Sequence, residues 1–414
     1  MSRTVITADV AVAGAGPSGL TAAGGLAAAG LRVLVLDRER EAGGIPRHSD
    51  HTGYGIRDLG RIMTGPAYAR LLAARAREAG AALRTSAMVT GWAGERALDV
   101  TTPQGLLRVE AGAVVLATGA RERPRTARMV PGDRPPGVLT TGQLQNLVHL
   151  HGRAVGGRAV VVGAEPVSWS AVLTLRRAGC RTVLMTSEHA RPESYAAFSV
   201  PGRAVLGVPV ATGTRVVRVA GHDAVEAVEV EDLRTGARRT VPCDTVVFTG
   251  DWIPDDELAR AAGLATDPGS RAPMVDNTLA TSRPGVFAVG NLVHPVDTAD
   301  VAALDGRHVV RHVLRHLGGG TPAGRAIPLL AGAPFTWVSP GLARPGAGAP
   351  PRGRILLWPA EHRALARVVV TQDGRVVARR TLPWPVSPGR VLRVPSSALS
   401  GADPRGGPIT ISLA

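Results

Sequence analysis

Asp9-Val-Ala-Val-Ala-Gly14-Ala-Gly16-Pro-Ser-Gly19-Leu-Thr-Ala-Ala-Gly-Gly-Leu-Ala-Ala-Ala-Gly30-Leu-Arg-Val-Leu-Val-Leu36-Asp37 decides the fold. Asp9 to Ala13 reads as a short buried strand. Ser18 to Ala29 reads as an Ala-rich helix that Gly30 ends, and Leu31 to Leu36 as a second apolar strand. The result is a βαβ unit of about thirty residues. Gly14 permits the tight turn, Gly16 lets the backbone approach a pyrophosphate, and Gly19 lets the helix pack closely on the strand. The helix N-terminus offers free amides and a partial positive charge to phosphates. Asp37 closes the second strand, where a carboxylate accepts hydrogen bonds from ribose hydroxyls. Strand, helix, spacing and acid together predict a dinucleotide site built from Gly14, Ala15, Gly16, Pro17, Ser18, Gly19, Asp37 and Arg38.

Outward from this unit, Asp37 to Gly65 is polar and Gly-rich, and Pro66 to Gly80 has helical apolar spacing. Strands recur around Leu83, Leu98–Val100 and Leu106–Val109, and Ala113 to Ala117 is fully apolar. A second unit of the same kind begins at Arg158, with a strand over Ala159–Val162, a helix over Val167–Ala178 and a strand over Thr182–Met185. Val216 to Val241 reads as a β-meander, Thr245–Phe248 and Val286–Val289 as apolar strands, and Val301–Leu317 as a helix. Ser339 to Gly353 is rich in Pro, Gly and Ala, which reads as a linker. Ile355 to Leu413 alternates β-rich runs with turn signals. The predicted class is α/β, with two Rossmann-like dinucleotide-binding domains and a small C-terminal all-β domain. The expected bounds are 1–124 and 245–330 for the discontinuous first domain, 125–244 for the inserted second, 331–353 for a linker and 354–414 for the β domain.

Composition narrows the chemistry. All cationic side chains are arginine, so no lysine is present to form a Schiff base. The net charge is +15, but the arginines are dispersed and not interleaved with aromatics, which argues against nucleic acid. Cys180 and Cys243 are the only cysteines and form no CxxC, so a dithiol centre, a zinc site and a cysteine-ligated cluster are unsupported. The uncharged stretch Val10–Leu31 is Gly/Ala-dominated and broken by Pro17, so neither a signal peptide nor a membrane span is read there. A cytoplasmic location is expected.

Two further segments turn the reading toward a flavin. Ala113-Val-Val-Leu-Ala117-Thr118-Gly119-Ala-Arg-Glu-Arg-Pro124 is an apolar strand ending in Ala-Thr-Gly. Arg283-Pro-Gly-Val-Phe-Ala-Val-Gly290-Asn291 is a strand ending in Gly-Asn. In this order the chain resembles the two-dinucleotide-domain flavoproteins of the pyridine nucleotide–disulfide oxidoreductase superfamily, over about residues 8–316. The resemblance implies FAD, with Gly14, Gly16 and Gly19 at its pyrophosphate and Asp37 at its ribose. It places the backbone of Val89 at the adenine, Ala117, Thr118 and Gly119 at the crossing between domains, and Gly290 and Asn291 by the ribityl chain. The superfamily usually has Asp where Asn291 stands. The helix from about Thr298 is implied to aim its N-terminus at the flavin.

Without a CxxC the disulfide-reductase mechanism is excluded. The second turn, Gly163-Ala-Glu165-Pro-Val-Ser168, has a carboxylate where a pyrophosphate would approach, which argues against tight NAD(P)H binding. The subgroup it most resembles lacks the dithiol. It comprises flavoprotein subunits of sarcosine oxidase, opine and proline dehydrogenases and hydrogen cyanide synthase, and flavoproteins accompanying glycerol-3-phosphate dehydrogenases. Gly43-Gly44-Ile-Pro-Arg-His48-Ser-Asp-His51 would turn beneath the flavin, making His48 and His51 candidate proton carriers. Arg47 is a candidate anion partner, and His294 and Asp297 are expected to shape the cofactor site. His308, His312 and His316 share one helix face; no metal is expected there, and a solvated face is. The implied activity is an FAD-dependent oxidoreductase acting on a small amine or alcohol, or relaying electrons for a dehydrogenase or electron-transfer partner subunit. The alternatives are an NAD(P)H-dependent reductase and a non-catalytic flavoprotein subunit.

Overall fold

The computed structural model describes residues 4–320 and 324–414. Its first sheet grows from strand β1 (Thr4–Ala13), which pairs in parallel with β2 (Val33–Leu36) on one side and with Gly105–Leu116 on the other. Ala82–Arg84 extends the sheet beyond β2. On its side away from β1, the long strand Gly105–Leu116 serves two further partners. Its start pairs antiparallel with Ala97–Thr102, and its end pairs in parallel with Val286–Ala288. All four residues of β2 are buried, as a parallel strand covered on both faces requires.

Helix α1 (Pro17–Ala28) lies on this sheet between helices Gly65–Glu78 and Ala299–Leu317. Small residues set the spacing. A Cβ on Gly306 would overlap the Ser18 carbonyl, so the two helix backbones touch. This suits a chain in which 3% of residues are aromatic: close helix approach leaves little space for large rings.

The second sheet runs Val138–Thr140, Thr245–Phe248, Arg158–Val162, Arg181–Thr186, Val210–Ala211, all parallel. A three-stranded antiparallel meander, Thr214–Ala220, Ala227–Asp232 and Arg238–Pro242, covers it. Thr245–Phe248 therefore sits in the second sheet, not at the start of the returning first domain. Its four residues are buried between strands 138–140 and 158–162, and the chain crosses back only at the paired strands Ala120–Glu122 and Trp252–Pro254.

The C-terminal unit also begins earlier than its composition suggests. Ile327–Ala331 joins a five-stranded sheet with Leu342–Ala343, Ile409–Leu413, Ala366–Gln372 and Arg375–Leu382. Phe335–Ser339 opens a second sheet with Arg354–Pro359 and Leu392–Pro395. Ile327, Leu329, Phe335 and Val338 are part of its core beside Ile355, Val368 and Ile411. The expected linker, 331–353, is thus packed structure. The Asn277 amide donates to the Arg344 carbonyl at 3.2 Å and to that of Gly348, and Arg344 pairs with Asp276 at 2.7 Å. Among the described residues no helix is long and apolar enough to cross a membrane.

The packing of α1 is directly testable. Gly306→Ala is expected to destabilise by about 1–3 kcal/mol through overpacking, outweighing the roughly 1 kcal/mol that Ala gains over Gly in a helix. A Cβ on Gly24 would meet Ala76 Cα at an ordinary 3.5 Å, so Gly24→Ala should be neutral or stabilising. Denaturant unfolding of the two variants side by side decides.

Candidate functional site

The turn after β1 is shaped by backbone contact. Gly14 has φ +108°, and a Cβ there would overlap the Ala117 carbonyl. A Cβ on Gly19 would overlap Gly14's own carbonyl. Gly16 differs: a Cβ there would meet nothing within 4 Å. The protein's own packing does not require glycine at that position, which faces open space at the start of α1. Gly16 caps the helix without a side-chain bond, Pro17 follows, and the first turn carries no acid. The N-terminal amides and the helix dipole are left for an anion.

Other segments converge on this turn. The Gly43 amide donates to the Ala15 carbonyl at 2.8 Å, and a Cβ on Gly44 would lie 2.9 Å from Gly16 Cα. A Cβ on Gly290 would lie 2.6 Å from Ser18 Oγ. Thr118 Oγ1 donates to the Asp255 carbonyl at 2.7 Å, and Gly119 accepts from the Asp255 amide at 2.9 Å. Asp37 accepts from Ala15 N at 2.6 Å and from Glu39 N at 2.8 Å. Burial pushes its carboxyl above the usual range, while those two amides pull it down. Arg38 points elsewhere, reaching Asp255 at 3.4 Å with its side chain 61% exposed. Val89 lies on strand Met88–Trp92. Ala87, two residues earlier, donates to the Asp37 carbonyl at 2.8 Å, and the Arg84 carbonyl accepts from the Asp37 amide at 3.0 Å.

Asn291 Nδ2 donates to the Asp297 carbonyl at 2.8 Å, while its Oδ1 is buried without a partner. Behind it lies a buried charged cluster. Asp305 accepts from Gly290 N at 3.2 Å and from His294 Nε2. Asp297 pairs with Arg393 and lies 3.9 Å from Arg352, both from the C-terminal unit. Burial alone would lower the His294 pKa, but the Asp305 carboxylate outweighs it and holds the imidazole above its ordinary value. Burial would likewise raise Asp305, and His294 overrides it downward. Sequence reading named His294 and Asp297 but missed Asp305, Arg352 and Arg393. The one sequence signal for Asp305 is its place at helical spacing among Val301, Ala302, Val309 and Val313 on a buried face.

The two candidate proton carriers separate. His48 ends the short 3-10 turn Ile45–Arg47 and is buried, with the Gln145 side chain of the second domain beside it. Burial lowers its pKa to about 4, so it is neutral near pH 7, and its Nδ1 has no partner. His51 has both nitrogens engaged, Nδ1 with the Thr52 carbonyl at 2.8 Å and Nε2 with Ser49 Oγ at 3.0 Å. Arg47 pairs with Glu39 at 3.0 Å. The helix Ala299–Leu317 begins at Thr298, and its first turn holds the buried Asp300, which accepts from Val301 N at 2.9 Å and Arg57 N at 3.0 Å. His308, His312 and His316 are half-buried, not a solvated face; His308 bonds the Asn277 carbonyl at 2.9 Å. Among the described residues no group of three or more His, Cys, Asp or Glu could hold a metal ion. Cys180 and Cys243 are buried free thiols that burial pushes up to about 12 and about 11.

The chain is similar to known proteins in sequence and fold. The model of the pyridine nucleotide-disulphide oxidoreductase family matches residues 8–306. An opine oxidase subunit of Agrobacterium tumefaciens (strain Ach5) is 30% identical over 311 residues, which cover 68% of this chain and 61% of that protein. The alpha subunit of sarcosine oxidase from Corynebacterium sp. (strain P-1) is 30% identical over 312 residues, covering 70% of this chain and 31% of that one. The chain thus spans about three-fifths of the length of the first of these relatives and about a third of the second. Thioredoxin reductase of T. acidophilum shares the fold, with a TM-score of 0.64 at 22% identity over 74% of this chain and 97% of that one.

The His294–Asp305 pair yields a stability prediction. Asp305, held low, contributes above about pH 3.9 and loses its contribution as pH falls through its folded value. His294, held high, contributes fully below about pH 6.5 and loses its contribution as pH rises through its folded value. Asp305→Asn is expected to cost about 3–5 kcal/mol at pH 6, as for a buried pair missing one partner. The deficit should shrink at alkaline pH, as read by unfolding across a pH series.

Proposed function

The chain belongs to the pyridine nucleotide-disulphide oxidoreductase family and is an FAD-dependent oxidoreductase, and from that premise we propose that it oxidises a small secondary amine of the N-substituted amino acid class. The residues present fit FAD. Gly16 leaves room at an uncapped helix start, and the unpartnered Asn291 Oδ1 is an acceptor suited to a ribityl hydroxyl. Gly14, Ala15, Pro17, Ser18, Gly19, Gly43 and Gly44 would surround the pyrophosphate, and Asp37 would hold the ribose. When bound, FAD supplies the two-electron acceptor.

The substrate class comes from the relatives. Sarcosine is an N-methyl amino acid and opines are N-carboxyalkyl amino acids, so both names carry a secondary amine. Within the chain, the supporting observation is His48. A buried, neutral imidazole beside the Gly43-Gly44 loop, with an unpartnered Nδ1, can accept a hydrogen bond from the N–H of a substrate bound as the free amine and so orient it; with its pKa near 4 it does not itself deprotonate an ammonium. His51 has no free ring nitrogen and would instead hold the loop in place. Electrons would pass to a partner subunit, since these relatives are themselves named as subunits.

The test is anaerobic mixing of the FAD-loaded protein with N-methyl and N-carboxyalkyl amino acids, following loss of the oxidised flavin absorbance. Reduction by secondary but not primary amino acids is expected. His48→Leu should keep its FAD and slow reduction by up to about 10²-fold, as the amine loses its orienting hydrogen bond. If no amine reduces the flavin, substrate oxidation at this site is overturned and electron relay for a dehydrogenase partner becomes the better reading.

A further inference from the structure

The second βαβ unit can be superposed on the first through equivalent hydrogen bonds. Gly14 N bonds the Leu36 carbonyl and Gly163 N the Thr186 carbonyl, each at 2.8 Å. Ala117 N bonds the Ala13 carbonyl at 2.8 Å, and Thr249 N the Val162 carbonyl at 3.0 Å. Gly43 N bonds the Ala15 carbonyl at 2.8 Å, and Ser194 N the Ala164 carbonyl at 2.9 Å. These pairs align Gly16 with Glu165, Asp37 with Ser187, and Gly43-Gly44 with Ser194-Tyr195.

At each aligned position the second unit has lost what a dinucleotide needs. The Glu165 side chain occupies the open space that Gly16 leaves, its carboxylate lying against Gly250. The Glu165 amide is already taken by Ser168 Oγ at 3.1 Å, and the Ser168 amide by the Glu165 carbonyl at 3.1 Å. Ser187 has no carboxylate for a ribose. Glu193, 6% exposed, stands beside Glu165 with one oxygen unpartnered.

The C-terminal unit then lies over both acids. A Cβ on Gly389 would be 2.5 Å from Glu193 Cβ and 3.4 Å from Glu165 Cγ. The next residue, Arg390, places its guanidinium 4.7 Å from the Tyr195 ring centroid. The loop is held at its base by reciprocal bonds between Arg363 and Val386, at 3.0 and 2.8 Å, and Ser387 is buried.

We infer that the second dinucleotide fold is closed to NAD(P)H, its pyrophosphate position filled by Glu165 and Glu193 under the Ser387–Arg390 loop of the C-terminal unit. Nicotinamide nucleotide does not fit this site, and no electron enters the flavin from it. Exclusion works by occupancy, not by like charge. The surrounding protein pushes Glu165 up to about 8 and Glu193 up to about 7, so repulsion near neutrality is weak. The inference rests on the reading of the chain as an FAD oxidoreductase and narrows its electron donor to the amine or a partner.

The experiment is calorimetric titration of the full-length, FAD-loaded protein with NADH, NADPH and ADP-ribose. No saturable binding is expected up to about 1 mM, the upper end of ordinary substrate affinities. Saturable binding of any of the three below that concentration overturns the inference. Glu165→Gly, Glu193→Ala and Arg390→Ala combined should open the site and bring measurable ADP-ribose binding. If the triple variant keeps its FAD and still binds none, the assignment of closure to these residues is overturned. The titrations use oxidised flavin and no amine, so a failure of the proposed amine oxidation leaves their outcome readable.

Discussion

Backbone lying against backbone at the start of α1 is the constraint on which the rest depends. The Ala117 carbonyl and the Gly14 carbonyl occupy the places where side chains on residues 14 and 19 would be, and the Ser18 carbonyl occupies that of residue 306. The ends of two strands and two helices therefore meet in backbone contact. At these contact points nothing larger than glycine or alanine fits, and larger side chains such as Leu20, Leu116 and Tyr68 fill the core around them. The same crowding brings Gly44 and Gly290 to within a side chain's reach of the turn, although they come from distant parts of the chain. A dinucleotide site follows from this geometry, because a helix start stripped of side chains has no other partner for its amides.

Much of this was legible locally. Gly14-x-Gly16-x-x-Gly19 followed by Asp37 is a local signature, although Gly19 alone answers to a neighbour in the same unit: Gly14 answers to Ala117 from a later strand, and Gly16 to no protein atom. What was not legible depends on partners set by the tertiary fold. Thr245–Phe248 reads correctly as a buried strand, but four apolar residues say nothing about which sheet receives them. The 331–353 stretch was read as a linker because Pro and Gly signal irregular backbone. Irregular backbone is not loose backbone, and Asn277 and Arg344 pin this one to the first domain. The buried Asp305 depends on His294, eleven residues earlier, and on a helix face whose burial only packing reveals.

The C-terminal unit, which lies beyond the family match, touches both nucleotide folds at functionally placed points. Arg352 and Arg393 reach Asp297 beside the Gly290-Asn291 motif, while Gly389 and Arg390 cover Glu193 and Tyr195. Buried charges are costly unless paired, so the first contact fixes orientation more surely than an apolar patch would. The unit thus joins the two folds on one side, and a hinge between them would have to break charged contacts in a dry environment.

The two turns differ in which glycine they keep. Gly163 has φ +129° and a Cβ there would overlap Thr249 Oγ1, so its own fold demands glycine as strictly as Gly14's does. The position aligned with Gly16 carries no such demand. A Cβ at Gly16 meets nothing in the protein, so only an incoming group can require glycine there. The second unit keeps the glycine of the tight turn, replaces the one that a ligand needs, and carries Ser168 at the position of Gly19. Its strands, helix and crossover are otherwise intact. A βαβ unit can keep its architecture without its nucleotide because the architecture depends on the first glycine and the nucleotide on the second.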